Sequence, residues 1–245
     1  TTVFFKGCPL RCPWCHNPEG QKEEPEEIVK IINRKDSAPL IKKEIIGKNV
    51  SVEYVMKEIE KDKIFYDESS GGVTFSGGEP LAQPKFLRSL LDECRKKEIH
   101  TALDTSGYAP PRVFNSLINK VDLFLYDLKI MDGTNHITYT GVSNQVILEN
   151  LKTLSEHKKR IFIRFAVIPR VTDTENNIIR IAEFVSSLHY IEEIDLLPYH
   201  KSAREKYKRL KRENKMNDVE PPSDKRVNEI KRQFESYKLK VKIGG

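Results

Sequence analysis

The sequence predicts an α/β protein: a partial (β/α)6 barrel of parallel strands with helices outside, like an incomplete TIM barrel. Two observations carry that prediction. Strand-like and helix-period apolar segments alternate along the chain, the pattern of repeated strand–helix units. Polar or reactive residues also gather where nearly every strand stops, and the carboxyl ends of parallel strands are where such folds build a site. An open doubly wound sheet offers one crevice of this kind. Chemistry at almost every strand end points instead to a barrel mouth.

The strand-like segments are TTVFF (1–5), GVTFS (72–76), HTALDT (100–105), DLFLYDLK (122–129), RIFIRFAVI (160–168) and EIDLLPY (193–199). Helical stripes separate them. Val52, Val55, Met56 and Ile59 form one; Leu87, Leu90, Leu91 and Cys94 form another, opening at Pro84, where a missing N–H costs nothing. Ile147, Leu148, Leu151 and Leu154 give a third, and Ile178, Ile181, Ala182, Val185 and Leu188 a fourth. The last carries Val227, Ile230 and Phe234 behind Pro221-Pro222 and the N-cap residue Ser223. Cys94 lies on an apolar stripe and reads as core.

Two stretches escape the alternation. Residues 21–50 are charged, with short apolar patches and no clear period, and read as an insertion on the mouth or side of the barrel. Residues 201–215 (KSAREKYKRLKRENK) hold eight basic residues against two acidic ones and read as a solvated or partner-docking face.

At 245 residues, 38% hydrophobic and 32% charged, the chain can bury a large core. No apolar run would cross a bilayer, and no basic-then-apolar leader opens the sequence, so the expected location is the cytoplasm. The chain begins on a strand without an initiator Met, which reads as a sequence lacking a few upstream residues. A net charge of +6 allows an acidic partner without demanding one.

Three of the four cysteines fall in GCPLRCPWCHNPEG (7–20), spaced C-x3-C-x2-C. That is no disulfide framework. Three thiolates on a short loop can converge on one soft or borderline metal. One reading is a zinc clip closed by His16, although His16, adjacent to Cys15, is poorly placed to complete the tetrahedron. The other is a four-iron cluster with one iron left open to a small molecule.

GCPLRCPWC resembles the cluster loop of the radical S-adenosylmethionine (SAM) enzymes, with Trp14 just before the third cysteine. CHNPEG (15–20), VTFSGGEPL (73–81), HTALDTSGY (100–108), YDLKIMD (126–132), GVSN (141–144), RFAVIPRVTD (164–173) and LLPYHKSAREKYKRL (196–210) narrow this. Together they are similar to the activating enzymes of glycyl radical enzymes, the group that includes the activator of pyruvate formate-lyase. The resemblance spans nearly the whole chain except residues 21–50. It implies one radical SAM domain over 1–245, with 21–50 in the place of a ferredoxin-like insert that in many relatives carries further cysteines. It implies one [4Fe-4S] cluster on Cys8, Cys12 and Cys15, binding of S-adenosylmethionine, and hydrogen abstraction from a backbone glycine of a partner enzyme, chemistry suited to anaerobic conditions. Pyruvate formate-lyase is the first candidate partner, then a glycerol or diol dehydratase or another glycyl radical lyase. The electron donor would be flavodoxin or ferredoxin.

The same resemblance assigns roles to single residues. Gly77, Gly78 and Glu79 would meet the methionine amino group, with Glu79 as a charge-assisted acceptor. Asp104 and Thr105 match positions that hold a monovalent cation beside the methionine carboxylate. Asp127 and Lys129 would reach the ribose and carboxylate, unless they simply pair with one another. Arg164, in an apolar strand, needs an anion: the ligand carboxylate, Asp127 or Glu79. His200 would lie against the nucleoside, while His16 and Asn17 shape the adenine edge and Trp14 packs. The rivals are a radical SAM enzyme of RNA-base or cofactor biosynthesis and a zinc-clipped barrel without catalysis. The basic run lacks base-stacking aromatics beyond Tyr207, which argues against nucleic acid.

Overall fold

A computed structural model describes residues 1–34 and 37–244. Seven strands form one sheet in which every neighbouring pair is parallel: β1 (Thr2–Phe5), β4 (Gly72–Gly77), β5 (His100–Thr105), β6 (Leu123–Asp127), β7 (Arg160–Val167), β8 (Ile191–Pro198) and β9 (Val241–Ile243). The order along the sheet is β1-β4-β5-β6-β7-β8-β9, so the sheet stays open between its two ends. The six expected strands are all present. The seventh, β9, follows the last helix and pairs with β8. Its sequence, VKI, is too short and too charged to register as a strand by pattern.

Helices connect the strands. They are α1 (Val52–Glu60), α2 (Lys63–Ser69), α3 (Pro84–Lys96), α4 (Pro111–Ile118), α5 (Gly133–Thr140), α6 (Gln145–Glu156), α7 (Glu175–Ser186), α8 (Arg204–Arg209) and α9 (Asp224–Ser236). Caps set their starts: Ser51, Asp132, Thr174 and Ser223 each accept the backbone N–H three residues on, and Pro84 opens α3. Among the described residues, no helix is long and apolar enough to cross a membrane.

Strand alternation divides the chemistry. Phe75, Leu103, Phe124, Ile163, Phe165 and Ile194 lie in the main core with the predicted stripes of α1, α3, α6, α7 and α9. Ser76, Asp104, Asp127 and Arg164 alternate with them and line the concave side. Cys94 is fully buried, with its sulfur 3.9 Å from that of Met56, and belongs to the core as expected.

Residues 21–50 contain an antiparallel hairpin, β2 (Glu26–Arg34) with β3 (Ser37–Ile46), which forms a separate two-stranded sheet. Its base stands beside the mouth. Glu26 pairs with Lys6 just past β1, and Glu44 with Arg209 of α8.

Candidate active site

The loop after β1 carries the three thiols to the mouth. Gly7 N–H donates to the Lys22 carbonyl (3.0 Å) and Cys8 N–H to that of Gln21 (3.1 Å), which closes residues 8–20 into a compact excursion. Beneath it, Leu10, Cys12 and Trp14 pack with Ile130, Ile168, Tyr199 and Met216 as a second, smaller apolar cluster. Trp14 is buried there and approaches Tyr139, consistent with a packing role.

Every candidate site residue read from the sequence lines one cavity of about 300 Å³ over the strand ends. Cys8, Cys12 and Cys15 share it with Trp14, His16 and Asn17. Gly77, Gly78, Glu79, Asp104, Thr105, Asp127, Lys129, Arg164 and His200 complete the wall. The partners of several of these residues differ from those expected.

The two glycines first serve backbone packing. Gly78 N–H donates to the Phe5 carbonyl (2.8 Å) and Glu79 N–H to that of Gly7 (2.7 Å). A Cβ on Gly78 would lie 2.4 Å from the carbonyl oxygens of both Gly7 and Gly20. Only glycine lets the turn after β4 approach the thiol loop this closely.

Glu79 is turned inward and is 1% exposed. One carboxylate oxygen accepts from Thr105 Oγ1 (2.6 Å) and Leu81 N–H (3.1 Å), the other from Ser106 N–H (2.8 Å) and Ser106 Oγ (2.5 Å). Burial raises its pKa, against the pull of these donors. A carboxylate offers about four acceptor positions, and all are taken. These donors tie the carboxylate expected to meet a ligand ammonium to the end of β5.

Arg164 finds its anion in Asp104 (2.8 Å), rather than in Asp127 or Glu79. Ser76 Oγ donates to the same Asp104 oxygen (2.7 Å). Burial and then the Asp127 charge raise the Asp104 pKa, against Arg164. Thr105 alternates with Asp104 along β5 and is held by Glu79, so the two side chains have separate protein partners. Asp127 and Lys129 make the simple mutual pair, at 2.9 Å. Burial works against the Lys129 charge, but the Asp127 carboxylate outweighs it and raises its pKa.

On the loop side the His16 and His200 rings meet edge to face with centroids 4.2 Å apart. Burial, then His200 and Lys206, push His16 down to about 4, so its imidazole is neutral at neutral pH. Asn17 accepts from Lys206 Nζ at 2.8 Å.

The sequence assigns no role to several supporting residues, although Asn144 lies in the quoted GVSN motif. Asn177 on α7 donates to the Lys129 carbonyl (3.0 Å) and accepts the Met131 N–H (2.9 Å), fixing the turn beyond β6. Asn144 holds the Ile130 and Met131 carbonyls, and Asn150 those of Gly107 and Ala109. Ser76 and Ser106 sit inside the quoted motifs, but their hydroxyl partners depend on the fold.

The donor set suits an iron–sulfur cluster. Three thiols face one cavity, and the fourth cysteine is locked in the core. Burial, with Glu79 next, pushes Cys8 up to about 12, and burial pushes Cys12 up to about 11 against the nearby Lys129 charge. Left as free thiols they are protonated and unreactive; a metal must displace those protons.

A parallel partial barrel with a three-thiol loop over its strand ends defines a class of cluster-binding enzyme. A family model described as the radical SAM superfamily matches residues 2–184. The chain is 40% identical to the trans-4-hydroxy-L-proline dehydratase activating enzyme of Clostridioides difficile, with 100% of this chain and 93% of that protein covered. It is 35% identical to the pyruvate formate-lyase-activating enzyme of Staphylococcus epidermidis, over 94% of this chain and 86% of that one. Among solved structures, a domain of pyruvate-formate lyase-activating enzyme from Bacteroides vulgatus matches with a TM-score of 0.61 at 36% identity, covering 71% of this chain and 99% of that domain. SuiB of Streptococcus suis, solved bound to S-adenosylmethionine, shares the fold over 100% of this chain and 50% of its own, with a TM-score of 0.67 at 16% identity. The chain belongs to the radical SAM superfamily and, within it, to the group of activating enzymes that these relatives represent. It is thus an enzyme of [4Fe-4S] and S-adenosylmethionine chemistry, which sets aside the zinc-clipped barrel.

Proposed function

We propose that this chain activates a partner glycyl radical enzyme by abstracting hydrogen from one of the partner's backbone glycines. The observation that carries this reading is the convergence of all three thiols and the whole polar strand-end wall on one cavity, in a chain that matches activating enzymes from end to end. Cys8, Cys12 and Cys15 would hold the cluster. When bound, the cluster supplies the electron that cleaves the sulfonium carbon–sulfur bond of S-adenosylmethionine to give the 5'-deoxyadenosyl radical.

The residues divide the remaining work. The Asp104–Arg164 and Asp127–Lys129 pairs put two cations and two anions on the wall, arranged to receive a zwitterionic amino acid end. Neutral His16, beside His200, supplies a flat edge for a base. Glu79 acts through Thr105 and Ser106, holding the turn that the ligand meets. The electron donor is a flavodoxin or a ferredoxin.

The partner ranking changes with the relatives. The hydroxyproline dehydratase activator is 40% identical and the pyruvate formate-lyase activators 34–35%, which favours a hydroxyproline dehydratase, with pyruvate formate-lyase after it. The test mixes anaerobically reconstituted, reduced protein with S-adenosylmethionine and each candidate enzyme, and reads the glycyl radical by electron paramagnetic resonance. A radical in the presence of one candidate supports the assignment. Release of 5'-deoxyadenosine with no radical in any candidate, but modification of a nucleoside precursor, would move the chain to RNA-base or cofactor biosynthesis.

A further inference from the structure

The reaction leaves the basic run 201–215 unexplained, and the structure shows that much of it is not a solvated face. Lys206 Nζ donates to Asn17 Oδ1 (2.8 Å) and Glu19 Oε1 (2.6 Å). The Arg212 guanidinium reaches the Pro18 carbonyl, Gln21 Oε1 (3.3 Å) and Glu26. From the opposite side Lys6 Nζ donates to the Glu19 carbonyl (2.6 Å). These donors converge on residues 17–21 and on Glu26 at the base of the hairpin.

That turn matters twice. It begins directly after Cys15 with His16 and Asn17, both on the cavity, and it ends at Gln21 and Lys22, whose carbonyls hold the amides of Cys8 and Gly7. The Arg212 side chain is 20% exposed and Glu26 12%, so the clamp is largely withdrawn from water. A planar fork holds its acceptors in fixed relative directions; an ammonium, a point charge on a flexible stem, fixes them less.

We propose that Arg212 and Lys206 are positioning residues for S-adenosylmethionine. They hold the 16–21 turn so that His16 and Asn17 face the ligand, and they touch the ligand with no atom of their own. The proposal rests on the reading of this cavity as the S-adenosylmethionine site.

The test has one arm without cofactor and one with it. In the apo protein, Arg212→Ala should speed hydrogen exchange at the Gly20, Gln21 and Cys8 amides about tenfold, with the β8 amides unchanged. In the reconstituted enzyme it should raise KM for S-adenosylmethionine about tenfold, the usual scale for groups that orient a first shell, while iron per chain and kcat stay within about twofold. Arg212→Lys should recover part of the loss. Lys206→Met should shift both readouts the same way, which covers the case of an Arg212 variant that does not fold. Unchanged exchange, unchanged KM, or a KM change that follows iron loss would overturn the proposal. A wild type that releases no 5'-deoxyadenosine would instead remove the functional reading and this role with it. A wild type that cleaves while both variants match it removes only the role.

Discussion

On the strand side of the cavity, Ser76 and Glu79 are held from the neighbouring strand β5, and Arg164 of β7 reaches Asp104 of β5 across β6, through hydrogen bonds and one ion pair. On the loop side, the thiol loop contains one short helical turn (Pro18–Gly20), and its tail is fixed by Lys6 and by donors from 187 to 194 residues further along the chain. The strand wall inherits its geometry from the register of a parallel sheet. The loop wall must be pinned from outside. A cluster loop can thus lead into an inserted hairpin that stands outside the main sheet, provided a distant part of the chain returns to clamp its end.

The point where the walls meet should be the least tolerant. Gly78→Ala places a methyl 2.4 Å from two backbone oxygens, one at each end of the thiol loop, and neither can rotate away. Apo stability should fall by more than about 3 kcal/mol, the scale of forced overpacking, which lowers the melting temperature by about 8 °C or more. Gly133→Ala, whose Cβ would meet only Asn144 Oδ1 at 3.6 Å, should change it by less than about 1 kcal/mol. Equal effects from the two would erase the distinction between junction and periphery.

Glu79 tests the strand wall alone. Glu79→Ala removes the acceptor for Thr105, for Leu81 N–H and for both Ser106 donors in a dry site. A loss of about 3 kcal/mol in the apo protein is expected. Glu79→Gln keeps one oxygen but aims an NH2 at donors, and should cost about half as much. Urea denaturation of the apo variants measures both. Were Glu79 instead a ligand acceptor, Glu79→Gln would leave apo stability intact and weaken only S-adenosylmethionine binding.

The contrast between the walls also marks what the sequence can reveal. Six strands are legible because apolar alternation and strand-end chemistry coincide within each short segment. Arg164 is recognisably in need of an anion, but the choice of Asp104 over Asp127 depends on how the strand ends converge, which sequence order does not state. Glu79 reads as reaching outward because an acid beside two glycines looks like a ligand site; most of its donors lie at the end of another strand. The short helices α2, α5 and α8 bury too few residues to show a stripe, and the Phe114, Leu117 and Ile118 stripe of α4 is not among those read from the sequence. The basic run is legible as charge, but not as a clamp, because its acceptors precede it by nearly the length of the chain.

The smallest expected effect separates the walls by pH. Glu26 closes the clamp, bonded to Arg212 with Lys22 and Lys6 nearby. Burial alone would raise its pKa, but the Arg212 hydrogen bond and charge, with Lys22 and Lys6, outweigh burial and hold it below the ordinary glutamate value. A carboxyl depressed by folding stabilises above its unfolded pKa, near about 4.3, and loses that contribution as pH falls through the folded value. The stability difference between wild type and Glu26→Gln should therefore be level above about pH 5.5 and shrink below about pH 4.3. Its size should stay near or below about 1 kcal/mol, since each of the three cations contributes modestly. Thermal unfolding of the apo proteins across that range measures it. Raised salt at neutral pH should narrow the same gap only slightly, because a clamp largely withdrawn from water is screened far less than an exposed ion pair. A gap that widens on acidification would mean that Glu26 is held protonated, and that Arg212 grips the loop through Pro18 and Gln21 alone.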